Sequence, residues 1–107
     1  MIEAIDEIAQ FVHGHTFESF AVDRKTIKAV LANFSIIGEA ARHIPDRIKS
    51  AHPGIAWIPA KGMRNVVVHI YFEVEPRIVW ETVRNDLPVL RAQLAHLLSE
   101  QASEPRS

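Results

Sequence analysis

Between Asp23 and Pro45, the residues Ile27, Val30/Leu31, Phe34, Ile37/Gly38 and Ala41 recur at three- and four-residue spacing, with no proline among them. That period matches the turn of an α-helix and places one apolar stripe along one side of it. The run is too long for an ordinary strand. Asp23 is suited to accept hydrogen bonds from the first free amides of the helix, and Pro45 stops it. A stripe of this length must be covered by other elements of the same chain.

The flanking sequence supplies more helices rather than a sheet. "MIEAIDEIAQFVHG" carries Ile2, Ile5, Ile8 and Phe11/Val12 on one face and ends at Gly14. In "HTFESF", Thr16 can cap a single turn that turns Phe17 and Phe20 inward. "PDRIKSAH" reads as a short helical turn leading to the Pro53-Gly54 break. Pro76 opens a last helix with Glu75 as a weak cap, its stripe being Ile78/Val79, Val83, Leu87, Leu90, Leu94 and Leu97/Leu98. Pro88 lies inside that stripe and should kink or split it, because proline removes one backbone bond and collides with the preceding turn. The expected fold is an all-α, up-and-down bundle of four or five helices. It forms one domain over residues 1–98, followed by a flexible polar tail over 99–107.

Composition excludes several classes of protein. The 107 residues are 48% hydrophobic and 23% charged, as expected of one globular domain with a real core. There is no cysteine, so disulfides and thiolate metal sites are ruled out, which suits a reducing cytoplasm. No apolar run approaches the roughly 18 residues of a membrane span, and the N-terminus lacks a signal-peptide pattern, so a cytoplasmic location is expected. The net charge of −1 argues against a general polyanion binder. Any nucleic-acid chemistry has to rest on a local cationic site.

One stretch fits poorly with a plain core. "RNVVVHIYF", residues 64–72, threads Arg64, Asn65, His69 and Tyr71 through valines and an isoleucine. Its valines admit a strand, but the length without a turn signal after Gly62 favours a helix, with Pro59 tolerable in its first turn. On that helix Asn65 and His69, four apart, share a face, so the amide can orient the imidazole. Arg64 and His69 diverge by about 140°, so one copy cannot easily bring both to one small substrate. Two copies facing across a two-fold axis could form a composite cleft. Such a cleft would suit a phosphodiester: imidazole can move a proton near neutrality, and guanidinium offers paired donors to charge building on phosphoryl oxygens. The other reading of the same residues is structural, with Arg64 ion-paired to a buried glutamate and His69 a satisfied core histidine.

"MRNVVVHIYF" with "VWETVRNDLPVL" resembles the HepT-like toxins of the HEPN superfamily. "FESF", "IIGEAARHIP", "HPGIAW" and "GMRN" extend the likeness over nearly all of residues 3–98. The family motif, Arg, four to six residues, His, any residue, Tyr, is matched by Arg64, His69, Ile70 and Tyr71. The resemblance implies a HEPN-like bundle forming a two-fold homodimer. It implies the toxin of a type VII toxin–antitoxin system, a metal-independent ribonuclease acting on RNA with no cofactor. Its partner would be a minimal nucleotidyltransferase of the MntA kind, which silences the toxin by transferring AMP to the motif tyrosine. Carried over, Arg64 and His69 are catalytic, Tyr71 is the AMPylation site and Asn65 is supporting. The chain departs from the family at an N-terminus about ten residues shorter than usual, and at Ile70, Glu73 and Glu75. These departures keep open a second function, a non-catalytic HEPN interaction module that dimerises and binds a nucleotidyltransferase or nucleotide.

Outside the motif, Glu39 in "IIGEAA" is a supporting candidate, with Arg64 or His69 as its expected partner. Trp57 and Trp80 read as packing residues rather than base-stacking platforms. His13, His15, His43, His52 and His96 lack metal-ligand spacing, and no metal site is expected. Arg84 and Arg91 are expected on the solvated side of the last helix or at a partner interface.

Overall fold

The structure, a computed structural model, describes residues 1–55, 57 and 75–103. All regular structure among them is helical: α1 (Ile2–Val12), α2 (Phe17–Ala21), α3 (Arg24–Arg42), α4 (Asp46–Ala51), α5 (Pro76–Glu81), a π-helical turn (Thr82–Asp86) and α6 (Leu87–Ser103). The chain is an all-α bundle.

Helix starts follow local chemistry. Thr16 Oγ1 accepts from the Ser19 amide while Ser19 Oγ accepts from the Thr16 amide, a reciprocal box that begins α2. Asp23 accepts from the Thr26 amide at 3.1 Å and from its hydroxyl at 2.7 Å, starting α3. These bonds hold the Asp23 carboxyl below the ordinary carboxylate range, the Thr26 hydroxyl contributing most. Glu75 makes no side-chain cap, and Pro76 alone begins α5. Gly14 takes φ +80°, a left-handed turn that glycine enters without strain, and α1 stops two residues before it.

The α3 stripe is the axis of the core. Ile27, Val30, Leu31, Phe34, Ile37 and Ala41 are all buried, packed with Ala4, Ile5 and Ile8 of α1 and with Val79, Val83, Leu87, Leu90, Leu94 and Leu97 of the last helical run. Phe20 is fully buried among them. Phe11, expected on the inner face of α1, points outward, and so do Ile78 and Leu98.

Pro88 acts as expected, through a π turn. A proline at 88 has no N–H for the carbonyl of residue 84, and its ring crowds that carbonyl. The backbone widens instead: the Leu87 amide donates to the Thr82 carbonyl, five residues back. Helix α6 then continues to Ser103, past the limit of 98 expected for the regular structure.

Asn33 is a polar residue buried in this core that the apolar spacing did not single out. Its Nδ2 donates to the Ala4 carbonyl at 3.1 Å and to Glu7 Oε1 at 2.9 Å, tying α3 to α1. Asn33→Ala removes both bonds and should lower stability by about 1–2 kcal/mol. Asn33→Asp should cost more, because it sets a second carboxylate against Glu7 and an acceptor against a carbonyl. Thermal unfolding followed by circular dichroism ranks the two variants against the parent.

A second tie joins α1 to α6. Arg91 grips Asp6 with both prongs, Nε to Oδ1 at 2.6 Å and Nη2 to Oδ2 at 3.1 Å. Arg91 is on the exposed side as expected, but it is spent on this pair. The hydrogen bonding from Arg91 holds the Asp6 carboxyl below its usual range and raises the guanidinium.

Candidate functional site

Arg64, Asn65, His69 and Tyr71 lie outside the described residues. What the structure does describe is how the chain enters and leaves that stretch. On the entering side, Trp57 is buried, and its Nε1 donates to the His52 carbonyl at 3.0 Å. Gln93 Nε2 of α6 holds the same loop through the Gly54 carbonyl at 2.8 Å. On the leaving side, Val79 of α5 is fully buried in the core. The described residues on either side of that stretch are thus held to the bundle.

Glu39 is the one candidate site residue that is described. It lies near the end of α3, half-buried, with its carboxylate 3.7 Å from Arg42 Nη1 and 3.4 Å from His43 Nε2. The partners expected for it, Arg64 and His69, belong to the stretch outside the described residues. Gly38 and Ala41 beside it are buried.

Beyond the residues singled out in the sequence, α2, α5 and the π turn bring two arginines against a cluster of aromatic rings, with Glu18, Glu81 and Asp86 on the same elements. The Phe17 and Phe20 rings lie 6.4 Å and 5.2 Å from the Trp80 ring. Arg77 sits 4.0 Å over the centre of Phe17, and Arg84 lies 5.6 Å from the centre of Trp80. Residues 77, 80 and 84 fall on one helical face by spacing, a signal present in the sequence, where Trp80 reads as packing and Arg84 as solvated charge or a partner contact, and Arg77 is not singled out. Among the described residues no group of three or more His, Cys, Asp or Glu side chains is placed to hold a metal ion. Nor is any described helix long and apolar enough to cross a membrane.

A family model described as "Ribonuclease HepT-like" matches residues 1–97. The chain belongs to the HepT-like ribonuclease family. This HepT-like chain is 41% identical over 95 residues to "Probable ribonuclease HepT" of Thermococcus cleftensis, covering 89% of this chain and 86% of that one. It is 31% identical over 101 residues to a protein named "Putative RNase" from Caldanaerobacter subterraneus subsp. tengcongensis, covering 94% and 90% of the two chains. A third relative, also named "Putative RNase", from Methanocaldococcus jannaschii, is 32% identical over 88 residues, covering 82% and 73%. No solved structure is a significant match. The family match spans the whole Arg64–Tyr71 motif and every described helix up to the last turns of α6, and it makes the HepT-like chain a ribonuclease by class.

Proposed function

We propose that this chain is the toxin of a type VII toxin–antitoxin pair, a metal-independent endoribonuclease that works as a two-fold dimer. The observation that carries the reading is the HepT-like ribonuclease match across residues 1–97, with Arg64, His69 and Tyr71 in the family's order and spacing inside it. In the reaction, a ribose 2′-oxygen attacks the neighbouring phosphorus and the bond to the 5′-oxygen breaks. His69 imidazoles of the two copies take the 2′-hydroxyl proton and return one to the leaving oxygen. Arg64 supplies paired donors to the charge that collects on the phosphoryl oxygens. Asn65 and Glu39 orient these groups. Since imidazole and guanidinium do the work, the reaction needs no divalent ion.

Silencing uses the third motif residue. A nucleotidyltransferase partner of the MntA kind moves AMP from ATP to the Tyr71 phenol, releasing pyrophosphate. The adduct adds bulk and a negative charge close to where substrate phosphate binds.

The test is direct. The protein, expressed without an antitoxin, should slow growth, run as a dimer by light scattering at micromolar concentration, and cut single-stranded RNA in excess EDTA. A monomer that leaves RNA intact sinks the nuclease reading; an inactive dimer that still binds a nucleotidyltransferase supports the interaction module instead.

A further inference from the structure

The net charge of −1 leaves a ribonuclease of this size with little general attraction for a polyanion, so affinity for RNA has to be concentrated somewhere. On the surface made by α2, α5 and the π turn, two arginines held against aromatic rings offer such a place, although Glu18, Glu81 and Asp86 lie on the same elements. Phe17 and Trp80 are half-buried, while Arg77 and Arg84 are exposed beside them, each guanidinium set against a ring. Among the described residues, neither guanidinium is within ion-pair distance of a carboxylate, whereas Arg91 and Arg42 are both paired with one. Glu81, four residues after Arg77 and three before Arg84, pairs with neither.

A guanidinium stacked against an aromatic ring loses side-chain freedom but keeps its N–H edge for an anion. That planar edge fits two phosphate oxygens, and its open face can take an unstacked base. Position agrees with this use. Arg77 follows Tyr71 by six positions, so covalent geometry alone keeps their Cα atoms within about 22 Å.

We propose that Arg77 and Arg84, held against the Phe17 and Trp80 rings, form a phosphate grip for single-stranded RNA. The grip rests on the ribonuclease reading for its ligand, but it is a binding site distinct from the cleaving residues. It positions substrate and moves no proton.

Anisotropy of a labelled single-stranded RNA, 2′-O-methylated so that it cannot be cut, measures the grip without the chemistry. Titrations over a range of salt should compare the full-length chain with Arg77→Gln/Arg84→Gln and with Arg77→Lys/Arg84→Lys. Loss of two phosphate contacts should weaken binding by about 10- to 30-fold at 0.1 M salt and flatten the log–log salt slope by about 1.4. The lysine pair should restore most of the slope, because it restores the charge. Unfolding curves for the variants should shift only slightly from that of the parent, as each exposed arginine gives up no more than its ring contact. Unchanged affinity and slope in the glutamine pair, from a parent that binds and cuts RNA, overturns the grip alone. Unchanged RNA binding together with lost binding to the nucleotidyltransferase overturns it too, and reassigns the patch to a protein partner. A parent that binds RNA through these arginines but cuts none overturns the cleavage reading and supports the grip. A parent that binds no RNA overturns both.

Discussion

Replacing His69 by alanine should lower RNA cleavage by about 100- to 10,000-fold, the range expected when a general acid–base group is lost. The substitution removes the only group in the motif whose proton exchanges readily near neutral pH. Arg64→Ala should also abolish detectable cleavage, since the phosphoryl charge then builds up without a paired donor. Arg64→Lys separates charge from shape: lysine keeps the cation but loses the planar fork, so cleavage should recover only in part. Single-turnover cleavage in EDTA, alongside circular dichroism spectra matching the parent, checks all three. Wild-type cleavage by His69→Ala would place the chemistry elsewhere.

Tyr71→Phe should leave cleavage intact and abolish silencing. A phenol with a pKa near 10 is neutral at pH 7 and a poor base for a 2′-hydroxyl, so its oxygen is dispensable for the reaction. That oxygen is nevertheless the only atom of the side chain that can carry AMP. With a cognate nucleotidyltransferase, ATP and magnesium, intact-mass measurement should show added AMP on the parent and none on the variant. RNA cleavage should then fall for the parent and persist for Tyr71→Phe. If the variant gains AMP, or if the modified parent still cuts, Tyr71 is not the switch.

The helices were legible in the sequence because each rests on a short-range rule. The 3.6-residue apolar period from Ile27 to Ala41 is a property of neighbours in sequence, and those residues are buried in the structure. Thr16 and Asp23 cap because a side-chain oxygen three residues away from an amide can reach it. Pro88 disturbs its helix because the lost N–H and the crowded carbonyl lie within one turn. The order and spacing of Arg64, His69 and Tyr71, which carry the functional reading, are likewise sequence properties.

Other features depended on which elements meet. Asn33 lies among apolar neighbours on α3, and nothing local says that both its amide hydrogens find acceptors on α1. Arg91 reads as one more solvated cation until Asp6, far away in the chain, is brought into its fork. Phe11 has the right period for burial on α1 but is exposed in the folded chain. The pairing of Arg77 with Phe17 needs α2 and α5 side by side. The sequence by itself determined the helices, their caps and the motif, because each is settled within a turn or two of backbone. Only the tertiary structure decided the partners of Asn33, Arg91 and Arg77, because those partners lie on other helices that folding alone brings alongside.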